Sequence, residues 1–311
     1  MKKIEIGKRS GIVITGVVIL SAISLFFLST YIIKPLSLPL ISTSKKFDKF
    51  GIMEIYPTKA GGREWFINME NPTSDGIFNP QSNLSRQQDG SWRITGKLTT
   101  GKFYDEVRMN VNTPTGVQNW KNVEITGYAK VDSMVVPFNG TANDDLTWYA
   151  RGGKHNPHMP CEGTAYMGGI YADGHVGWKK EIWFTGGYTT ERAHAKVTDS
   201  LIGRWVGWKA IIYNIQNDTA VKLESYLDST GTNDWIKVAD VVDNGGWLAK
   251  TSDSLFYSAK CDKPKDYIIT SGGPIATFRS DDLVWDFKDL SVREIQPSID
   301  VHNGYDSFRN E

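Results

Sequence analysis

The chain is short of cysteine, of net charge and of helical periodicity, and each shortage excludes a class of protein. Two Cys in 311 residues cannot build a disulfide-dense scaffold or a cysteine-based zinc site. With 35 Lys+Arg balanced by 35 Asp+Glu, the chain has no basic field to hold a phosphate backbone, so no nucleic-acid partner is expected. The five His include no His-x-x-x-His pair, and His155 and His158 stand in a Pro-containing stretch. No metal is expected on that pattern. Gly-x-Ser-x-Gly, a Walker loop and a dinucleotide fingerprint are absent, which disfavours serine-hydrolase, nucleotide and nicotinamide chemistry and leaves no cofactor to expect. No window of a dozen residues carries a helical stripe, and no repeat of 20 to 50 residues occurs.

Apolar residues are unevenly placed. Gly11 to Ile33 contains no charged residue over 23 positions, a length that spans the roughly 30 Å bilayer core as a helix. Lys2, Lys3, Lys8 and Arg9 precede it, so residues 1–10 are expected to stay cytoplasmic and the remainder to cross. A cleaved signal peptide is the competing reading. It fits less well, because its apolar core would be about 7 to 15 residues. Residues 34–60 then read as a linker, 61–297 as an external domain and 298–311 as a polar tail. The expected location is the cell membrane, single-pass, with the C-terminal domain extracellular.

That domain reads as strands. Alternation runs through Trp92–Leu98, Val123–Val131, Arg204–Ile215, Ala220–Leu227 and Asp289–Ile295. Asp89-Gly90, Asp173-Gly174 and Gly245-Gly246 mark turns, and the second of them separates Tyr166–Ala172 from His175–Phe184 as a long hairpin. The spacing is that of an all-β sandwich. Cys161 and Cys261 both lie on the external side, where a bridge persists; two buried free thiols are the alternative.

Strand periodicity also assigns faces. Trp205, Lys209, Ile211 and Tyr213 share one face, and Lys222, Glu224, Tyr226 and Asp228 share one face of the next strand. Two such strands side by side could line a groove in which a sugar stacks on an aromatic ring and its hydroxyls meet charged partners. A solvated sheet face with cross-strand pairs is the plainer reading. A second cluster, Tyr149-Ala-Arg151-Gly-Gly-Lys154-His155, places cations beside two glycines and could bind a carboxylate; a loop whose glycines serve a turn and whose His is solvated is the alternative. With Lys179, Lys180 and Lys209, Arg151 and Lys154 form the basic grouping that could meet an acidic sugar. Glu224 and Asp228 lie about 13 Å apart on one strand, too far for a retaining glycosidase pair. Asp228, Asn233 and Asp234 read as turn acids, since they match no complete calcium loop.

The motif Gly207-Trp208-Lys209-Ala210-Ile211-Ile212-Tyr213-Asn214 resembles the late strand of jelly-roll alginate lyases. Ser271–Arg279 and Phe287–Ile295 resemble the closing strands of concanavalin-A-like jelly rolls, over about residues 61–295. The resemblance implies a jelly-roll β-sandwich and β-elimination on a uronate polysaccharide. It would give Tyr213 the proton transfer, Lys209 a nearby positive charge and Arg151 neutralisation of the carboxylate, with His155 as a replacement base. The family's Gln-Ile-His strand is here Glu181-Ile182-Trp183, and the endoglucanase pattern Glu-x-Asp-x-x-Glu is absent. Lys180, Trp205, Glu224 and Tyr226 are the expected substrate-binding residues. The functional expectation is a membrane-anchored extracellular protein that binds polysaccharide or surface glycan and could cleave it; the alternative is a non-catalytic, lectin-like adhesion or cell-envelope module.

Overall fold

A computed structural model describes residues 45–95, 106–114, 116–135, 145–153, 160–183, 187–248, 261 and 263–297. The expected membrane span, the polar tail, Lys154 and His155 lie outside the described residues. Among the described residues no helix is long and apolar enough to cross a membrane.

In chain order the strands are β1 (Glu64–Phe66), β2 (Phe78–Pro80), β3 (Leu84–Arg86), β4 (Trp92–Thr95), β5 (Glu106–Asn112), β6 (Val123–Met134), β7 (Asp145–Gly152) and β8 (Thr164–Tyr171). They continue as β9 (His175–Ile182), β10 (Gly187–Tyr188), β11 (Arg192–Lys196), β12 (Val206–Ile215), β13 (Ala220–Asp228), β14 (Ile236–Asp243), β15 (Ile275–Asp281) and β16 (Leu283–Glu294). One antiparallel sheet has the order β14-β13-β12-β6-β16-β4-β3, with β1 on β16. The other runs β10-β9-β8-β7-β15-β5-β2, with β11 on β9. The chain passes between the sheets at β1 to β2, β2 to β3, β4 to β5, β5 to β6, β6 to β7, β11 to β12, β14 to β15 and β15 to β16, the wrapping of a jelly roll.

Alternation explains why these segments are strands. On β12, Val206, Trp208, Ala210 and Ile212 enter the interior cluster, as do Val221, Leu223 and Leu227 on β13, leaving the intervening residues on the outer face. The expected hairpin is β8 and β9, paired from Thr164↔Ile182 to Ile170↔Val176. Of the 11 Trp, Trp65, Trp120, Trp148, Trp178, Trp208, Trp247 and Trp285 belong to the interior cluster, so most of this aromatic content packs the two sheets together. Glycines make room for those rings. A Cβ at Gly168 would sit 2.9 Å from the Trp178 ring.

The ordered domain begins earlier than the sequence suggests. Residues from Lys45 onward, expected to be linker, lie on the outer face of the β12-bearing sheet: Ile52 is buried with Tyr128 and Trp235, and Thr58 bridges to Ile295. The two cysteines form the Cys161–Cys261 disulfide. Asp228 accepts backbone N–H bonds from Thr230, Thr232 and Asn233, the turn-acid role expected of it.

Candidate functional site

The sequence-predicted residues divide between the two sheets. Lys209, Tyr213, Glu224 and Tyr226 do share one outer face, because β12 and β13 pair Lys209↔Tyr226 and Ile211↔Glu224. Their polar groups, however, are engaged within the protein. The Lys209 ammonium is 1 % exposed and donates to Glu124 Oε1 at 2.7 Å and to Thr126. Arg293 approaches the other Glu124 oxygen at 3.0 Å, and that oxygen accepts from the backbone N–H groups of Ile55 and Tyr56. Burial pushes the Glu124 carboxyl up, but Lys209 and Arg293 outweigh it and hold it below its ordinary range. Lys209 is therefore part of a clasp that holds residues 54–56 on the sheet.

Beside it, buried Glu224 accepts from the Tyr56 hydroxyl at 2.9 Å and from Lys237 at 2.6 Å, while Tyr213 and Tyr226 lie at 3.5 and 3.4 Å. Trp205 is half-buried between two lysines, Lys130 and Lys288. Residues 45–58 cover much of this face, so the pairing of aromatic and basic residues read from the sequence is a packed seam.

Arg151 is on the other sheet. Between β7 and β15 the register slips from Ile275↔Gly152 to Thr277↔Tyr149, a bulge at which Arg151 takes a φ of 64°. The bulge breaks alternation and turns the side chain away from the face that Tyr149 keeps. The guanidinium donates to the carbonyls of Lys121 and Ile269 and to Asn122 Oδ1. Burial pushes its pKa down to about 10. Lys180 also faces inward, donating to Asp243 at 2.8 Å and to the Tyr267 carbonyl. The set Lys209, Tyr213 and Arg151 does not converge, which corrects the expected catalytic arrangement.

A groove of about 400 Å³ instead lies on the outer face of the sheet β10-β9-β8-β7-β15-β5-β2. β5 (EVRMNVN) builds one wall: Val107, Met109 and Val111 are buried in the core, and Arg108 and Asn110 point outward into the groove. Asn110 stands opposite Asn79 of β2 and Thr277 of β15, and Thr277 stands opposite Tyr149 of β7. The Thr277 hydroxyl donates to Asn110 Oδ1 at 2.9 Å. Gln81 extends the amide-bearing side, and Glu181 of β9, next to the inward Lys180, supplies a carboxylate to the far wall. Gly152 and Gly153 line it near Tyr149, so the Tyr149–Gly153 stretch singled out in the sequence does border the groove, through Tyr149 and the glycines.

Charges beside the groove are paired. Arg108 meets Glu106 at 2.6 Å, and Arg279 meets Asp281 at 2.7 Å and Glu106 at 3.2 Å. Arg279 also donates to the Tyr188 hydroxyl. Burial pushes the Asp281 carboxyl up to about 7, with Asp145 adding to the rise and Arg279 opposing it. Burial likewise raises the Tyr149 phenol, against the pull of Arg108 and Arg279. The sequence reading missed Arg108, Asn110 and Thr277. The alternation of β5 could have found the first two, since it is as regular as that of β12.

No protein-family model matches the chain, and no curated protein matches it. Among solved structures it is similar to a protein of unknown function with a galectin-like fold from Bacillus subtilis, at 10% identity over 78% of this chain and 100% of that one, with a TM-score of 0.43. Peanut lectin with a 9mer peptide aligns at 9% identity over 76% and 100%, TM-score 0.38. Lectin I from Ulex europaeus, in complex with the methyl glycoside of α-L-fucose, aligns at 8% identity over 75% and 98%, TM-score 0.38. Likenesses this low assign no ligand to the present chain.

Proposed function

We propose that this chain is a surface-anchored carbohydrate-binding protein, held by its N-terminal apolar run, whose groove across β2, β5, β15, β7, β8 and β9 holds a polysaccharide. The observation that carries the reading is the groove's lining. Asn79, Gln81, Asn110 and Thr277 offer amide and hydroxyl groups on one side, and Tyr149 offers an aromatic ring with a polar tip on the other. Sugar recognition combines such groups, and the groove's volume lies in the range of ligand sites. The uncharged stretch Gly11 to Ile33 supports the anchor.

Binding without β-elimination fits the chemistry better. A proton-abstracting phenol works best when its pKa falls toward the operating pH, whereas burial raises Tyr149. The Tyr149 hydroxyl therefore stays protonated and acts as a hydrogen-bond donor. Lys209 and Arg151, the cations that elimination would need, are buried in other contacts. The test is a glycan array probed with the full-length protein in a detergent without a sugar headgroup. Arg108→Ala is expected to weaken every array signal at least tenfold, while absorbance of an unsaturated uronate stays flat across uronate polymers. An array with no signal for the unmodified protein, or signals untouched by Arg108→Ala, would reject the groove as a sugar site.

A further inference from the structure

We infer that Lys180 and Asp243 join covalently: Lys180 Nζ and Asp243 Cγ form an amide bond with loss of one water, tying β9 of one sheet to β14 of the other. The inference is independent of any ligand in the groove. Burial, the aim of the amine and the donors on the carboxyl carry it.

Both side chains are completely shielded from solvent, with 2.8 Å between Nζ and Oδ2. Strand pairing sets Tyr166 of β8 opposite Lys180, and the Trp247 ring packs against both. An ion pair sealed among aromatic rings has a high desolvation penalty, so the surroundings favour transfer of the ammonium proton to the carboxylate. Burial accordingly pushes the Lys180 amine down, against the pull of Asp243. A desolvated neutral lysine is a nucleophile.

The hydrogen bonds aim that nucleophile. Besides Asp243 Oδ2, the ammonium donates to the carbonyls of Tyr267 at 2.9 Å and Asp266 at 3.3 Å. Once one proton has moved to Oδ2, these two carbonyls hold the two remaining N–H groups. The lone pair is then left on the side of Asp243, with amine and carboxyl already in contact.

Each carboxyl oxygen has a donor suited to its part. Oδ1 accepts the backbone N–H of Gly245 at 3.3 Å, which supports the negative oxygen of the tetrahedral intermediate. Oδ2 accepts from the Tyr166 hydroxyl at 2.6 Å. That hydroxyl accepts the N–H of Ile269, so its own proton faces Asp243. Attack of Nζ on Cγ forms the C–N bond. As the C–Oδ2 bond breaks, Tyr166 gives its proton to Oδ2 and takes one from Nζ, which meets the same oxygen. Oδ2 leaves as water and the phenol is restored. Ammonium and carboxylate thus become one amide and one water, with no oxidant, reductant or added group.

The other buried lysine shows the contrast. Glu124, the partner of Lys209, also meets Arg293 and two backbone N–H groups, and the two cations hold its carboxyl below the ordinary range. A carboxylate kept charged resists an amine. Among the described residues, Asp243 meets no cation but Lys180 within ion-pair distance.

Mass spectrometry of the full-length protein, denatured and with its disulfide reduced, tests the inference. The main species is expected to be lighter than its sequence by one water, and digestion is expected to release a branched peptide joining Lys180 to Asp243, with none joining Lys209 to Glu124. Lys180→Arg keeps the charge and is expected to restore the full mass. Tyr166→Phe keeps the ring and is expected to lower the branched fraction at least tenfold. Full mass in the unmodified protein overturns the inference. So does a water loss without a branched peptide, as ring closure at an Asp-Gly pair such as Asp89-Gly90 would give. A branched fraction undiminished by Tyr166→Phe overturns the proton relay.

Discussion

Single side chains on this fold differ most in whether burial or a partner decides their protonation, and Asp281 is the case where burial wins. It is 3 % exposed, with its carboxyl pushed up to about 7 from an ordinary value near 3.8. A folded-state pKa above the unfolded one means that the folded protein binds the proton more tightly. The contribution to stability is then complete below about pH 4 and is lost as pH rises toward 7. Asp281→Asn removes that slope while leaving Arg279 its contact with Glu106. Relative to the unmodified protein, the variant is expected to gain stability steadily between pH 4.5 and 7.5 in urea unfolding. A difference that shrinks over this interval would show that Arg279 keeps Asp281 ionised throughout. Neighbouring Asp145 is raised for the same reason, so part of the pH dependence should survive in the variant.

At the scale of elements, the turn between β8 and β9 tests how tightly one residue sets a register. Gly174 has a φ of 93°, and a Cβ there would fall 2.1 Å from the carbonyl oxygen of Thr198. Both the backbone conformation and the space exclude a side chain. Gly174→Ala is expected to cost about 2–3 kcal/mol in chemical denaturation; a loss below about 0.5 kcal/mol would mean that the turn relaxes freely. This turn was readable in the sequence because Asp-Gly between two alternating runs is a local signal. Faces were readable on β12 and β13 for the same reason, since alternation needs no knowledge of the partner strand. What defeated the reading was any event that breaks period two. The bulge at Arg151 sends a cation inward that alternation alone places beside Tyr149. Lys180, expected among the substrate-binding residues, is a second case. The ammonium goes into the interior to meet Asp243, and the Glu181 carboxylate faces the groove. An inward lysine is legible only once its buried acid, 63 residues away in the chain, is known to lie against it.

For the whole molecule, the site was hard to see because its walls come from strands that are neighbours in space in the order β9-β8-β7-β15-β5-β2, an order that sequence proximity does not supply. One long-range link was legible. The two cysteines, read as a bridge on a segment outside the membrane, form the disulfide between positions 161 and 261. It joins the short turn Pro160–Glu162 to the distant stretch that leads into β15. Glu162 packs so closely on Gly153 that a Cβ on that glycine would lie 2.6 Å from it, and Gly153 lines the groove. The bridge therefore acts on stability and on the rim of the binding site together. With 100 residues between its ends, its removal should lower stability by about 4 kcal/mol through the entropy of the unfolded chain. In a domain of this size that corresponds to a fall in melting temperature of roughly 10 °C. Scanning calorimetry of the Cys161→Ser/Cys261→Ser double variant against the oxidised protein measures the first effect, and the glycan-array signal below the variant's transition measures the second. Both quantities are expected to drop. A variant that melts with the parent would show that the sandwich alone orders these loops. One that melts early yet binds normally would show that the groove rim is held by the β7–β8 ladder and not by the bridge.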